Sequence, residues 1–187
     1  MSFKYPTYQE WLEGLPELER ERALKLADQF RANGCAAPED WVRSEVSEDF
    51  CQFATYLFLS NLWRCEIDHP WSESPENWIR EFSHTVGQTR LPVFDDAAEA
   101  LLRLQEAQVS AKDLGAIARL VAYSTAFGVL NLLDAGADRS AAGDTPGWSL
   151  REMDAEGNLT GRAIEGLHES LLSIHEDSVK AGPGPSA

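Results

Sequence analysis

The chain has 187 residues, 43 % of them hydrophobic and 25 % charged, with a formal net charge of −15. That length and apolar content suffice to close a core without disulfides or metal, and the charged fraction is that of a folded protein. The acidity argues against nucleic acid as a partner, since phosphate binding needs clustered Lys and Arg, and equally against an anionic membrane surface.

The first elements are signalled by their caps. Thr7-Tyr-Gln-Glu10 has the form of a capping box, so a short helix should run to about Glu13, with Gly14 breaking it. Pro16 stands at the first turn of a second helix that reaches Ala32 and stops at Asn33-Gly34. Leu18, Ala23, Leu24, Ala27 and Phe30 form its apolar stripe, and Glu17, Glu19, Arg20, Glu21, Arg22 and Lys25 read as its solvated face.

Pro38 opens a short helical segment with Trp41 and Val42. Ser47 then has the makings of an N-cap, with Glu48 and Asp49 in the first turn of a helix running to about Ile67. Phe50, Phe53, Ala54, Leu57, Phe58, Leu62 and Trp63 repeat at helical spacing and are expected to face a core. His69-Pro-Trp71 ends that helix, and Ser74-Pro75 begins another, carrying Trp78, Ile79 and Phe82. Leu91-Pro92 reads as a linker, and Asp95 or Asp96 as the cap of a helix with Ala98, Leu101, Leu102 and Leu104 inward.

Ser110–Asp134 is the expected centre of the fold, one helix of about seven turns. Ser110 caps it, Asp113 meets its positive end, and Gly136 supplies a left-handed stop. Gly115, Ala118, Ala122 and Ala126 fall along one side, and Leu114, Ile117, Leu120, Val121, Phe127, Leu130 and Leu132 occupy much of the rest. A helix apolar nearly all round is expected to be buried within a bundle, and Arg119, Ser124, Asn131 and the end charges interrupt it as a membrane span. Asp113, Ser124 and Asn131 fall on one line, with Arg119 and Tyr123 read beside it. That line reads as the seam where a later hairpin docks, or else as the edge of a ligand cleft.

Past Gly136, residues 141–147 read as loop. Trp148–Met153 alternates like a strand, Asp154–Asn158 has turn chemistry with Gly157 or Asn158 able to take positive φ, and Leu159–Ile164 can return. Gly166–His175 reads as a last helix, and residues 181–187 as a flexible tail. The expectation is therefore a mainly α single domain over 1–180, a helical bundle around a buried central helix with a small C-terminal β-hairpin near 148–164.

The sequence has no GxSxG elbow, no phosphate-binding GxxxxGK[ST] loop and no HExxH. Cys35, Cys51 and Cys65 have no CxxC spacing, and without a signal-peptide pattern they read as reduced thiols in a cytoplasmic protein. His168, Glu169 and His175 carry metal-ligand chemistry, but no compact motif completes a site, so neither metal nor cofactor is expected.

Charge is spread over both halves, 9 basic and 16 acidic residues before Phe94 and 7 and 15 from there on. This suggests a non-enzymatic acidic interaction protein, of the bacterial immunity or antitoxin kind, whose partner is a basic protein or a second copy. Its densest acidic run, Glu39, Asp40, Glu45, Glu48 and Asp49, is the expected partner-binding segment. The alternative is a small enzyme or ligand-binding protein with a pocket edged by Arg119, Tyr123, His168 and Glu169.

Overall fold

The first helix starts where its capping box predicts. In the computed structural model, which describes residues 6–68, 76, 77, 79, 80, 92–137 and 146–181, Thr7 Oγ1 accepts from the Glu10 amide at 3.2 Å. Glu10 Oε2 accepts from the Thr7 amide at 2.7 Å, so two donors at the helix start are satisfied reciprocally. Helix α1 spans Tyr8–Gly14 and α2 spans Glu17–Ala32. Arg20 is no mere surface charge: its guanidinium donates to the carbonyls of Leu12, Glu13 and Leu15 at the end of α1, where backbone acceptors run short of helical donors.

The apolar face of α2 differs from the expected stripe. Ala23, Leu26, Ala27 and Phe30 are buried, whereas Leu18 and Leu24 are exposed. The buried set has an i, i+3, i+4, i+7 spacing, with Leu26 in place of the expected Leu18 and Leu24. Helix α3 (Glu39–Glu48) runs through Ser47, so Ser47 is not the cap of the next helix. The break comes at Asp49, left-handed at φ 58°, a conformation Asp tolerates better than most side chains. Helix α4 follows at Gln52–Leu62.

In α4 and its continuation the buried residues are Thr55, Tyr56, Leu59, Trp63 and Ile67, while Phe50 and Phe58 stay exposed. The face is set by aromatic packing: Phe53 and Tyr56 both meet Phe30 edge-on, at 5.1 and 5.3 Å between centroids, and Tyr56 meets Trp41 at 5.8 Å. Trp63–Asp68 is a π-helical segment, not the expected α-helix. Its wider turn aligns residues five apart, and Trp63 Nε1 donates to Asp68 Oδ2 at 3.2 Å.

Residues 76, 77, 79 and 80 are helical and Ile79 is buried; the expected cap at Ser74, and Trp78 and Phe82, lie outside the described residues. Helix α5 (Pro92–Glu106) begins at Pro92, before the expected Asp cap, as proline at a first helical position allows. Helix α6 (Ala111–Ala135) has the expected bounds, with Ser110 Oγ accepting from the Asp113 amide at 3.0 Å.

The burial expected of α6 is not found. Leu114, Gly115 and Leu130 are buried, and Ala118, Ala122 and Ala126 half-buried, so the small-residue side is the covered one. Ile117, Leu120, Val121, Val129 and Leu132 are exposed, and only 6 % of the most apolar window of the helix, mean hydropathy 1.5, is buried. Asp113, Ser124 and Asn131 are exposed too.

Strands β1 (Leu150–Met153) and β2 (Leu159–Ile164) pair antiparallel, Leu150 opposite Ile164 and Met153 opposite Leu159. The register slips between Arg151 and Met153. Gly161, at φ 87°, carries the irregularity, and its carbonyl accepts from Arg151 Nη1 at 2.9 Å. In the turn, the Asp154 carboxylate accepts from the Glu156 and Asn158 amides, and Gly157 takes the positive φ. Those bonds hold the Asp154 carboxyl below the usual carboxylate range, the Asn158 amide contributing most. Helix α7 spans Leu167–Ala181, and the tail beyond it lies outside the described residues. The protein is thus mainly helical with one small hairpin. The chain divides into two compact units, Met1–Ser60 with Val129–Ala187, and Asn61–Gly128.

Candidate interaction surface

The acidic run of α3 starts as the sequence suggests. Glu39 and Asp40 occupy the first turn, where negative charge is favourable, and Glu39 also pairs with Arg31 at 3.6 Å. Asp40 is exposed, and Glu48 is exposed while accepting from Ser44 Oγ at 3.1 Å. Glu48 and Asp49 stand at a helix C-terminus, where the dipole opposes acids, rather than at the expected N-terminus.

A cation compensates that end. Arg162, on β2, donates to the carbonyls of Asp49 (3.4 Å) and Phe50 (2.7 Å). It also pairs with Glu45 at 3.4 Å, Glu152 at 3.3 Å and Asp49 at 3.7 Å. Burial would lower the Arg162 pKa, but the neighbouring Cys51 and the carboxylates of Glu152, Glu45 and Asp49 together raise it, so the guanidinium stays charged. Glu45 is only 6 % exposed, and its other oxygen accepts from the Phe53 amide at 2.7 Å, doing at the start of α4 the capping expected of Ser47. Glu45 is therefore an internal group, and of the acidic run Asp40, Glu48, Asp49 and half-buried Glu39 face outward. Cys51 is buried nearby, and burial pushes its thiol pKa up despite Arg162, the opposite of what a nucleophile needs.

Of the second candidate set, Arg119 and Tyr123 lie on α6 in the unit Asn61–Gly128. Arg119 Nε pairs with Asp68 Oδ1 at 3.1 Å, and Tyr123 meets Trp63 at 5.8 Å. The π-helical segment thus positions both partners. His168 and Glu169 begin α7 in the other unit. The Asp134 carboxylate accepts from the Leu167 amide at 3.1 Å, the His168 amide at 2.9 Å and His168 Nδ1 at 2.5 Å. Burial would raise the Asp134 pKa, but the bonds from His168 and Leu167 outweigh it and lower it. Gly166 precedes α7 without a side chain to cap it, so Asp134 performs that function from 33 residues away.

The four residues are thus divided two and two between the units. Sequence reasoning missed Asp134, Glu152 and Arg162 as organising groups, and none has a local pattern that marks it. Among the described residues no group of three or more His, Cys, Asp and Glu is placed to hold a metal ion, and the side chain of His175 lies outside them. No family model, no characterised protein and no solved structure matches this chain.

Proposed function

We propose that this chain is a non-enzymatic, acidic, cytoplasmic interaction protein, of the immunity or antitoxin kind, that masks a basic protein partner. The observation that carries the reading is the net charge of −15, divided almost equally between the two halves of the chain. Such a field accelerates encounter with a cation-rich surface and orients the approach. Asp40, Glu48 and Asp49, with Glu39 at their edge, supply the outward acids on α3; Glu45 serves the interior.

Pull-down from native lysate supplies a partner, and stopped-flow mixing across a salt series supplies the test. Exposed charges are largely screened beyond about 8 Å at physiological salt. Association should therefore slow as salt rises while dissociation changes less, and Glu39→Lys, Asp40→Lys and Glu48→Lys together should slow it further. An association rate indifferent to both salt and charge reversal overturns the reading. A second reading, a small enzyme, has one supporting observation: a carboxylate orienting an imidazole, as Asp134 does His168, is an arrangement general-base histidines use. Capping of α7 explains the same contacts without chemistry.

A further inference from the structure

The stop of α2 sets two groups side by side that can react with each other. Asn33-Gly34 is the one Asn-Gly pair in the chain; Asn61, Asn77, Asn131 and Asn158 all precede Leu or Trp. Glycine has no side chain to crowd its nitrogen, so that nitrogen can approach the preceding carboxamide as the nitrogen of Leu or Trp cannot. Both residues are exposed. In the folded chain each reacting group is held. The Gly34 amide donates to the Arg31 carbonyl at 3.0 Å, and Asn33 Nδ2 donates to the Gln29 carbonyl at 2.9 Å. Asn33 has ψ 16°, which turns the Gly34 nitrogen away from the Asn33 Cβ, whereas ring closure between nitrogen and Cγ needs both on one side. Tyr56, on α4, donates its hydroxyl to the Asn33 carbonyl at 3.3 Å and ties down that peptide.

We propose that Asn33 is a site of spontaneous deamidation, gated by the C-terminal cap of α2. Helix ends fray, so the cap opens locally without unfolding of the whole chain. Once it is open, the Gly34 nitrogen attacks Asn33 Cγ. The new C–N bond displaces the side-chain nitrogen, which takes up the Gly34 proton and leaves as ammonia. Water then opens the succinimide. Cleavage of the new bond gives aspartate; cleavage of the original peptide bond gives isoaspartate, with the backbone running through Cγ. Nothing is oxidised or reduced. Either product exchanges the donor to Gln29 for a carboxylate at a helix C-terminus, where the dipole opposes it. The modified cap is therefore the weaker one.

The test holds the full chain in mildly alkaline buffer, with and without guanidinium chloride, and follows the peptide containing Asn33 by mass spectrometry. Electron-transfer fragmentation tells isoaspartate from aspartate. In denaturant Asn33 should convert ahead of every other asparagine. Without denaturant it should convert roughly ten-fold or more slowly, because the cap is closed most of the time. Tyr56→Phe keeps the ring against Phe30 and Trp41 but removes the hydroxyl. It should speed the native reaction several-fold, the weight of one net hydrogen bond, and leave the denatured rate alone. Asn33→Gln, whose longer side chain would have to close a larger ring, should not convert. Aged protein should melt below fresh protein, and aged Asn33→Gln should not. Equal rates with and without denaturant overturn the gate, as does a Tyr56→Phe rate equal to that of the unaltered chain. Conversion confined to denaturant shows a cap sealed against the reaction and overturns the site, and so does conversion spread evenly over all the asparagines.

Discussion

Arg162 meets three carboxylates and two backbone carbonyls at once, and Glu45 among them is buried. Arg162→Met keeps the apolar stem but leaves Glu45 without its cation, and an unpaired buried charge costs about 3 kcal/mol or more. Arg162→Lys should restore only part of this, because an ammonium cannot reproduce the planar fork. Urea denaturation measures both, and an unchanged midpoint for Arg162→Met would show the network to be dispensable. Asp134 gives a pH-dependent counterpart. Its folded pKa lies below the ordinary 3.8, so the unfolded chain binds the proton more readily. Its stabilisation is therefore complete above that value and is lost as pH falls through the lower, folded one. Asp134→Asn should cost about 1–2 kcal/mol at neutral pH and flatten the acid limb of a stability–pH curve; a parallel limb would mean that the carboxylate contributes nothing there. The capping box at Thr7–Glu10 was legible because its partners are three residues apart. Arg162 and Asp134 were not, since pairings across 117 and 33 residues leave no local periodicity to read.

Two glycines separate backbone freedom from space. An added Cβ at either Gly128 or Gly161 meets nothing within 4 Å, but Gly161 has φ 87° whereas Gly128 sits in ordinary helix. Gly128→Ala should therefore stabilise the protein by up to about 1 kcal/mol, and Gly161→Ala should destabilise it by about that much or more. Thermal melts of the two variants should move in opposite directions; a common direction would contradict the conformational difference. Element bounds were the most legible feature, because caps and glycine stops are local: α2 ends at Ala32 as expected, and α6 closes one residue beyond the expected Asp134. Faces were less so. Leu24 and Leu26 are equally apolar, and it is Leu26 that shares the buried face with Ala23, Ala27 and Phe30. The π-helical turn at Trp63 goes with pairings of Asp68 to Trp63 and Arg119, which propensity does not encode.

For the whole molecule, 31 acidic residues against 16 basic ones produce self-repulsion that favours expansion. Raising salt from about 0.01 to 0.15 M shortens the screening length from about 30 to 8 Å, so the melting temperature should rise over that range and then level off. A melt that falls over the same range would mean that ion pairs such as Arg162–Glu45 outweigh the repulsion. The mainly α class with a late hairpin was legible from periodicity and turn chemistry. The exposure of α6 was not, because a helix apolar on most sides has the same sequence whether its cover comes from its own chain or from another.

The unit containing Arg162 is built from both ends of the chain. During synthesis Glu45 emerges 117 residues before the guanidinium that neutralises it. A nascent chain released only as far as Leu62 therefore holds α3 and α4 with their shared carboxylate uncompensated, free to remain in water. The buried carboxylate of Glu45 gains its cation only once β2 has been made. Until then the aromatic cluster of Phe30, Trp41, Phe53 and Tyr56, whose ring contacts all lie within this early stretch, is what can hold α2, α3 and α4 together.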